Sequence, residues 1–237
     1  MSKKKIIILA ISAVLALATL TVGIFHTLSL IKEKKQLKEW QQFMQEYYNN
    51  KIESYENENA SIIPGETDVV FLGDSLTDGY DVATYYPQYK VLNRGIGGDT
   101  TFGVEKRLKV SVYDVKPKCV VMLIGANNFD TMFENYESIL CGFAENVPDT
   151  KVILVSLTSM SGEWGKNNKT AAYNNVKIKL FAEKYGYEFV DLYTPLFNLE
   201  SGGIYDEYTT DGGHLTPAGY AVFTDTVTPV IERVLGG

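Results

Sequence analysis

The sequence predicts an α/β fold in which a parallel sheet is covered by helices on both faces, and three observations lead there. Short β-branched or apolar runs recur from residue 68 onward: 68–73 (DVVFLG), 90–95 (KVLNRG), 119–125 (CVVMLIG), 151–157 (KVILVSL) and 187–193 (YEFVDLY). Longer amphipathic stretches separate them, and most of the runs are continuously apolar rather than alternating, as strands are when both sheet faces are buried. The residues of unusual chemistry follow directly after the runs, at the carboxyl ends of the expected strands, where open parallel sheets bind their ligands.

The chain has 237 residues, enough for one α/β domain and an appendage; 45% are hydrophobic and 22% charged, the balance of an ordinary folded protein. Its net charge is −7, yet six Lys stand against one Glu before residue 36, so the negative excess falls on the remainder. An acidic body without a basic, aromatic-interleaved stripe repels phosphate backbones, and no nucleic-acid partner is expected.

Residues 6–25 carry no charge, and as a helix they would extend roughly 30 Å, the thickness of a bilayer core. The expectation is an N-terminal transmembrane signal-anchor over residues 1–31, with the remaining domain outside the cytoplasm at the cell membrane. The alternative is a secreted protein: Lys3, Lys4 and Lys5 precede the apolar run, and residues 16–18 offer an A-x-A cleavage site. Residues 32–63 read as a polar helical stalk with a narrow stripe of Leu37, Trp40, Met44 and Tyr47. Pro64-Gly65 is a turn signal, and the α/β domain is drawn from residue 64 to 237. The two cysteines, Cys119 and Cys141, lie in apolar runs and are expected as free buried thiols rather than a pair.

The first strand runs into Gly73-Asp74-Ser75-Leu76-Thr77. A serine at a strand-to-helix turn presents its hydroxyl beyond the sheet, and its backbone N–H can face a developing oxyanion; the plainer alternative is a capping serine. Thr77 stands where a G-x-S-x-G elbow would have its second glycine. A nucleophilic serine needs a base. The chain has two histidines, of which His26 falls at the end of the apolar segment, leaving His214. It sits in Asp211-Gly212-Gly213-His214-Leu215-Thr216-Pro217. Thr216 is placed as the N-cap of a helix and Pro217 at its first position, while two glycines permit Asp211 to turn back and orient the imidazole. One histidine is too few for a metal site, so neither metal nor cofactor is expected. After the second strand, residues 95–101 (GIGGDTT) offer free backbone N–H groups but lack dinucleotide or P-loop spacing. After the third, Gly125-Ala126-Asn127-Asn128 offers either a side-chain amide donor for an oxyanion or an Asx-turn.

GDSLT at 73–77, GIGGDTT at 95–101, GANN at 125–128 and DGGHLTP at 211–217 together resemble the four blocks of the SGNH/GDSL hydrolases, most closely the branch of platelet-activating-factor acetylhydrolase-like proteins. The resemblance spans residues 66–237. It implies a flavodoxin-like three-layer α/β/α sandwich and a serine esterase in which Ser75 is the nucleophile, His214 and Asp211 complete the triad, and Ser75, Gly98 and Asn127 form the oxyanion hole. Asn128 departs from the family, which usually has Asp there. The expected substrates are small-molecule, lipid or glycan esters with short acyl groups; an O-acyltransferase using the same triad and an idle surface-binding protein of the same fold are the alternatives. The sequence leaves open the natural ester and the oligomeric state.

Overall fold

The structure, a computed structural model, describes residues 2–236, except for the side chains of residues 8–14, 16 and 18. The chain divides into two compact units, Met1–Asn49 and Asn50–Gly237. Helix α1, Lys3–Asn59, makes up the first and contributes its last turns to the second. In the first unit, Lys35 pairs with Glu39 at 3.7 Å one turn on, and the rings of Trp40 and Phe43 approach to 5.8 Å. Among the described residues no helix is long and apolar enough to cross a membrane. The membrane span expected over residues 6–25 rests largely on residues 8–14, 16 and 18, whose side chains lie outside the described ones.

In the second unit the five expected strands form: β1 Val69–Gly73, β2 Val91–Gly95, β3 Cys119–Leu123, β4 Lys151–Val155 and β5 Glu188–Val190. All pair in parallel, in the order β2-β1-β3-β4-β5. The order reverses between β1 and β3, and such a switch point opens a crevice beyond the strands' carboxyl ends. The helices between them are α2 Ser75–Asp78, α3 Val82–Tyr85, α4 Thr101–Lys106, α5 Tyr136–Asn146 and α6 Asn168–Tyr185, and α7 Tyr193–Leu196 and α8 Pro217–Leu235 follow β5.

Strand pleating explains why the runs had to be continuously apolar. Val70, Leu72, Val120, Met122, Val152 and Leu154 face one core with Ile139, Leu140, Phe143 and Ile178 of α5 and α6. Val69, Phe71, Val121, Leu123, Ile153 and Val155 face the other, with Phe223, Val227 and Ile231 of α8. Each fully buried side chain of this size stabilises the fold by roughly 1.5–3 kcal/mol. Cys119 and Cys141 are free thiols; Cys119 lies in the second core, where burial pushes its thiol up to about 12, and Cys141 Sγ lies 3.1 Å from the Tyr185 hydroxyl.

Candidate active site

At the end of β1 the backbone must leave the sheet through a crowded gap. A Cβ on Gly73 would fall 2.2 Å from the Leu123 carbonyl oxygen and from the Thr77 hydroxyl, and one on Gly95 would fall 2.1 Å from the Asp78 nitrogen. Glycine at both places lets α2 rest directly on β2. Asp74 caps α2 by accepting from the Leu76 N–H at 3.1 Å. Its second oxygen is buried without a partner, and burial, aided by the nearby Asp99 carboxylate, pushes its carboxyl up to about 7. Ser75 follows, half-buried at the first position of α2. Asn93 fixes the helix's far end by donating to the carbonyls of Thr77 and Tyr80 at 2.6 and 2.9 Å.

The loop after β2 is held by side chains that the sequence motifs did not include. Arg107, 2% exposed, donates to the Asp99 carboxylate at 2.8 Å, to the Arg94 carbonyl at 2.8 Å and to the Gly73 carbonyl at 2.9 Å. One guanidinium therefore ties the ends of β1 and β2 to the loop between β2 and α4. Its five fixed donors suit it to such a junction. The Gly97 N–H donates to Asp78 at 2.9 Å, and Gly98 takes a φ of +76°, a left-handed conformation that favours glycine. From the third block, the Asn127 amide donates to the Asp99 carbonyl at 2.8 Å. The structure thus brings Asn127 to the loop that carries Gly98.

His214 arrives on a loop of glycine turns. Gly212 has a φ of +89° and passes so close to Ser161 that a Cβ there would lie 2.4 Å from the Ser161 carbonyl oxygen. Asp211 turns back and accepts from the N–H groups of Gly213 and His214 at 2.9 and 2.8 Å through one oxygen, while the other lies 2.7 Å from His214 Nδ1. Partial burial pulls the Asp211 carboxyl upward, but the two N–H groups and the imidazole outweigh it and hold it down at about 2. An ionised Asp211 requires Nδ1 to carry the proton, so Nε2 of the neutral ring is an acceptor. That nitrogen lies 3.0 Å from Ser75 Oγ. Thr216 caps α8 and Pro217 opens it, as the sequence indicated.

Two aromatics frame this contact. Tyr220, one turn into α8, donates to the Leu76 carbonyl at 2.9 Å and so ties the histidine's helix to the serine's. The Trp164 and His214 rings lie nearly perpendicular with 6.2 Å between centroids, and Trp164 is 38% exposed. Neither belongs to a recognisable motif. A tyrosine four residues past a helix cap reads as ordinary core, and a tryptophan in a Gly-rich loop reads as surface.

Residues 71–222 match the GDSL-like lipase/acylhydrolase family. The chain belongs to that family. The hydrolase is 29% identical over 185 residues to the human platelet-activating factor acetylhydrolase IB subunit alpha2, covering 72% of this chain and 78% of the relative. A GDSL-like lipase from Bacteroides thetaiotaomicron superposes with a TM-score of 0.69 at 26% identity, over 77% of the hydrolase and 97% of that chain. A catalytic mutant of an acetylxylan esterase from Geobacillus stearothermophilus, 20% identical, shares the fold with a TM-score of 0.57 over 71% of the hydrolase and 95% of that chain. The hydrolase is thus of the SGNH/GDSL type, similar to platelet-activating-factor acetylhydrolases, and acts on carboxylic esters.

Proposed function

We propose that the protein is a serine esterase that cleaves short-chain acyl esters through an acyl-enzyme on Ser75. The observation that carries this reading is the chain of contacts from Asp211 through His214 to the Ser75 hydroxyl, 2.7 Å and then 3.0 Å. In the first step Ser75 Oγ bonds to the ester carbonyl carbon as its proton passes to His214 Nε2. The carbonyl oxygen becomes an oxyanion, received by the N–H groups of Ser75 and Gly98 and the amide of Asn127. The tetrahedral species collapses, the ester C–O bond breaks, and the imidazolium returns its proton to the departing alcohol. Water then attacks the acyl-Ser75 carbonyl, giving its proton to His214; the carboxylic acid leaves and Ser75 regains a proton. Asp211 keeps the ring in its Nδ1–H tautomer throughout.

The acyl preference is supported by the acetylhydrolase activity that the human relative's name gives and by the absence of a long apolar insertion between the four sequence blocks. In this reading the ester is carried by a small molecule, a lipid or a glycan, and the uncharged residues 6–25 hold the protein in the membrane with the hydrolase unit outside the cytoplasm. Two measurements test this. With the full chain in detergent, kcat/KM on p-nitrophenyl acetate should exceed that on the octanoate ester, and a serine-reactive phosphonate should label Ser75; an octanoate preference contradicts the short-chain reading, and labelling elsewhere contradicts the nucleophile. Alkaline carbonate should leave the protein with the membranes, and recovery of an N-terminally shortened form in the medium would contradict the anchor.

A further inference from the structure

The last turns of α1 carry side chains that a solvated stalk would not need. Tyr55 is 4% exposed and its hydroxyl donates to the Gly95 carbonyl at 2.5 Å, at the last residue of β2. Its ring lies 4.5 Å from the guanidinium carbon of Arg94, whose side chain is fully buried. That guanidinium donates to Glu58 and, at 2.8 Å, to Asn59 Oδ1. Asn59 in turn donates to the Val110 carbonyl at 2.7 Å. One turn before Tyr55, Lys51 Nζ lies 2.6 Å from Asp78 Oδ1, with the two side chains 28% and 15% exposed. The other oxygen of Asp78 accepts the Gly97 N–H.

These contacts converge on one short segment. Residues 94–99 are gripped from within by Arg107, through the Arg94 carbonyl and the Asp99 carboxylate, and from without by residues 51–59. Neither of the two hydrophobic cores draws on residues 51–59. Tyr55 instead binds the backbone that leads to Gly98, at the Gly95 carbonyl, and Lys51 binds Asp78, which holds the Gly97 N–H. An N–H donor serves an oxyanion only if its direction is fixed before the charge forms, and small displacements of such a donor are costly in rate.

We propose that Lys51 and Tyr55 are positioning residues of the active site: the end of α1 is a strap that fixes the Gly97–Gly98 backbone, Lys51 through Asp78 and Tyr55 through Gly95. This rests on the serine-esterase reading above. The strap acts on the transition state rather than on the bound ester, so its loss lowers kcat and leaves KM nearly unchanged.

The test uses the full chain in detergent, with Lys51→Met, Tyr55→Phe and the double variant, an aryl acetate as substrate, and phenylboronic acid as a probe that becomes tetrahedral on the serine oxygen. The expected result is a fall in kcat of about tenfold for the double variant, a matching fall in affinity for the boronic acid, an unchanged KM, and recovery of most of the kcat in Lys51→Arg. Unchanged kcat and boronate affinity would overturn the strap, and so would a loss that follows melting temperature alone. Ser75→Ala separates the two readings. If it still hydrolyses the ester and binds the boronic acid, the serine reading falls and the strap with it; if it is inactive while the strap variants are unaffected, the strap alone is wrong.

Discussion

Asn128 shows how a departure from a family pattern can be complete in its own surroundings. Its amide donates to the Thr101 hydroxyl at 2.9 Å, and that hydroxyl gives its own proton to Asn135 Oδ1 at 2.7 Å. Asn135 passes the chain on to Glu105 at 3.0 Å. An aspartate at 128 has no proton to give, and the Thr101 proton is already committed. Asn128→Asp should therefore cost about 1–3 kcal/mol, the usual penalty for an unmatched half-buried group; denaturant unfolding measures it, and an unchanged midpoint would show that the network rearranges freely. Asp74 makes a second prediction at this scale. Its carboxyl sits near 7 in the fold against an ordinary value of 3.8, so between those pH values the folded protein holds a proton that the unfolded chain releases. Its contribution to stability is full below about pH 4 and is lost as pH rises through 7. Melting temperature in Asp74→Asn should lose that fall, so the variant gains on the parent as pH rises; a parallel pair of pH curves would show that Asp74 is ionised throughout.

At the scale of elements, the site is an alignment problem between α2, which begins with the serine, and α8, which follows the histidine. The hydrogen bond from Tyr220 to the Leu76 carbonyl joins the two, and the Tyr220 ring also stacks on Tyr80 at 4.9 Å. Tyr220→Phe keeps the stack and removes the bond. Its kcat/KM should fall several-fold with a stability loss of only about 1 kcal/mol; full activity would show that packing alone holds the helices in register. The strands and the α8 cap were legible in sequence because their signals are local: apolar runs of strand length, and Thr-Pro at a helix start. Arg107 and Tyr55 act through pairings distant in sequence, which no local signal displays. Arg107 reads as a solvent-facing charge on an amphipathic helix, and only the folded chain puts it beside the carbonyls of Gly73 and Arg94. Tyr55 reads as one aromatic in a polar stretch, although the turn at Pro64–Gly65 does form and the compact unit nevertheless begins at Asn50.

Across the whole molecule, four short sequence blocks scattered over residues 73–217 meet at the carboxyl ends of one sheet's strands, because each follows a strand or opens a helix that the doubly wound topology brings to the same end. This is why candidate site residues could be read from sequence with so little knowledge of packing: the fold sends strand-end residues to a common crevice. The central claim is that Ser75 and His214 act as one unit. Its most direct test is kcat/KM on a single aryl acetate for Ser75→Ala, His214→Ala and the double variant, each first shown to be folded. If the claim holds, either substitution alone removes nearly all activity and the second adds little to the first, since the acyl transfer is already lost. Retention of most of the activity in His214→Ala would contradict it, because the sequence holds one other histidine, His26, and that residue belongs to the first compact unit.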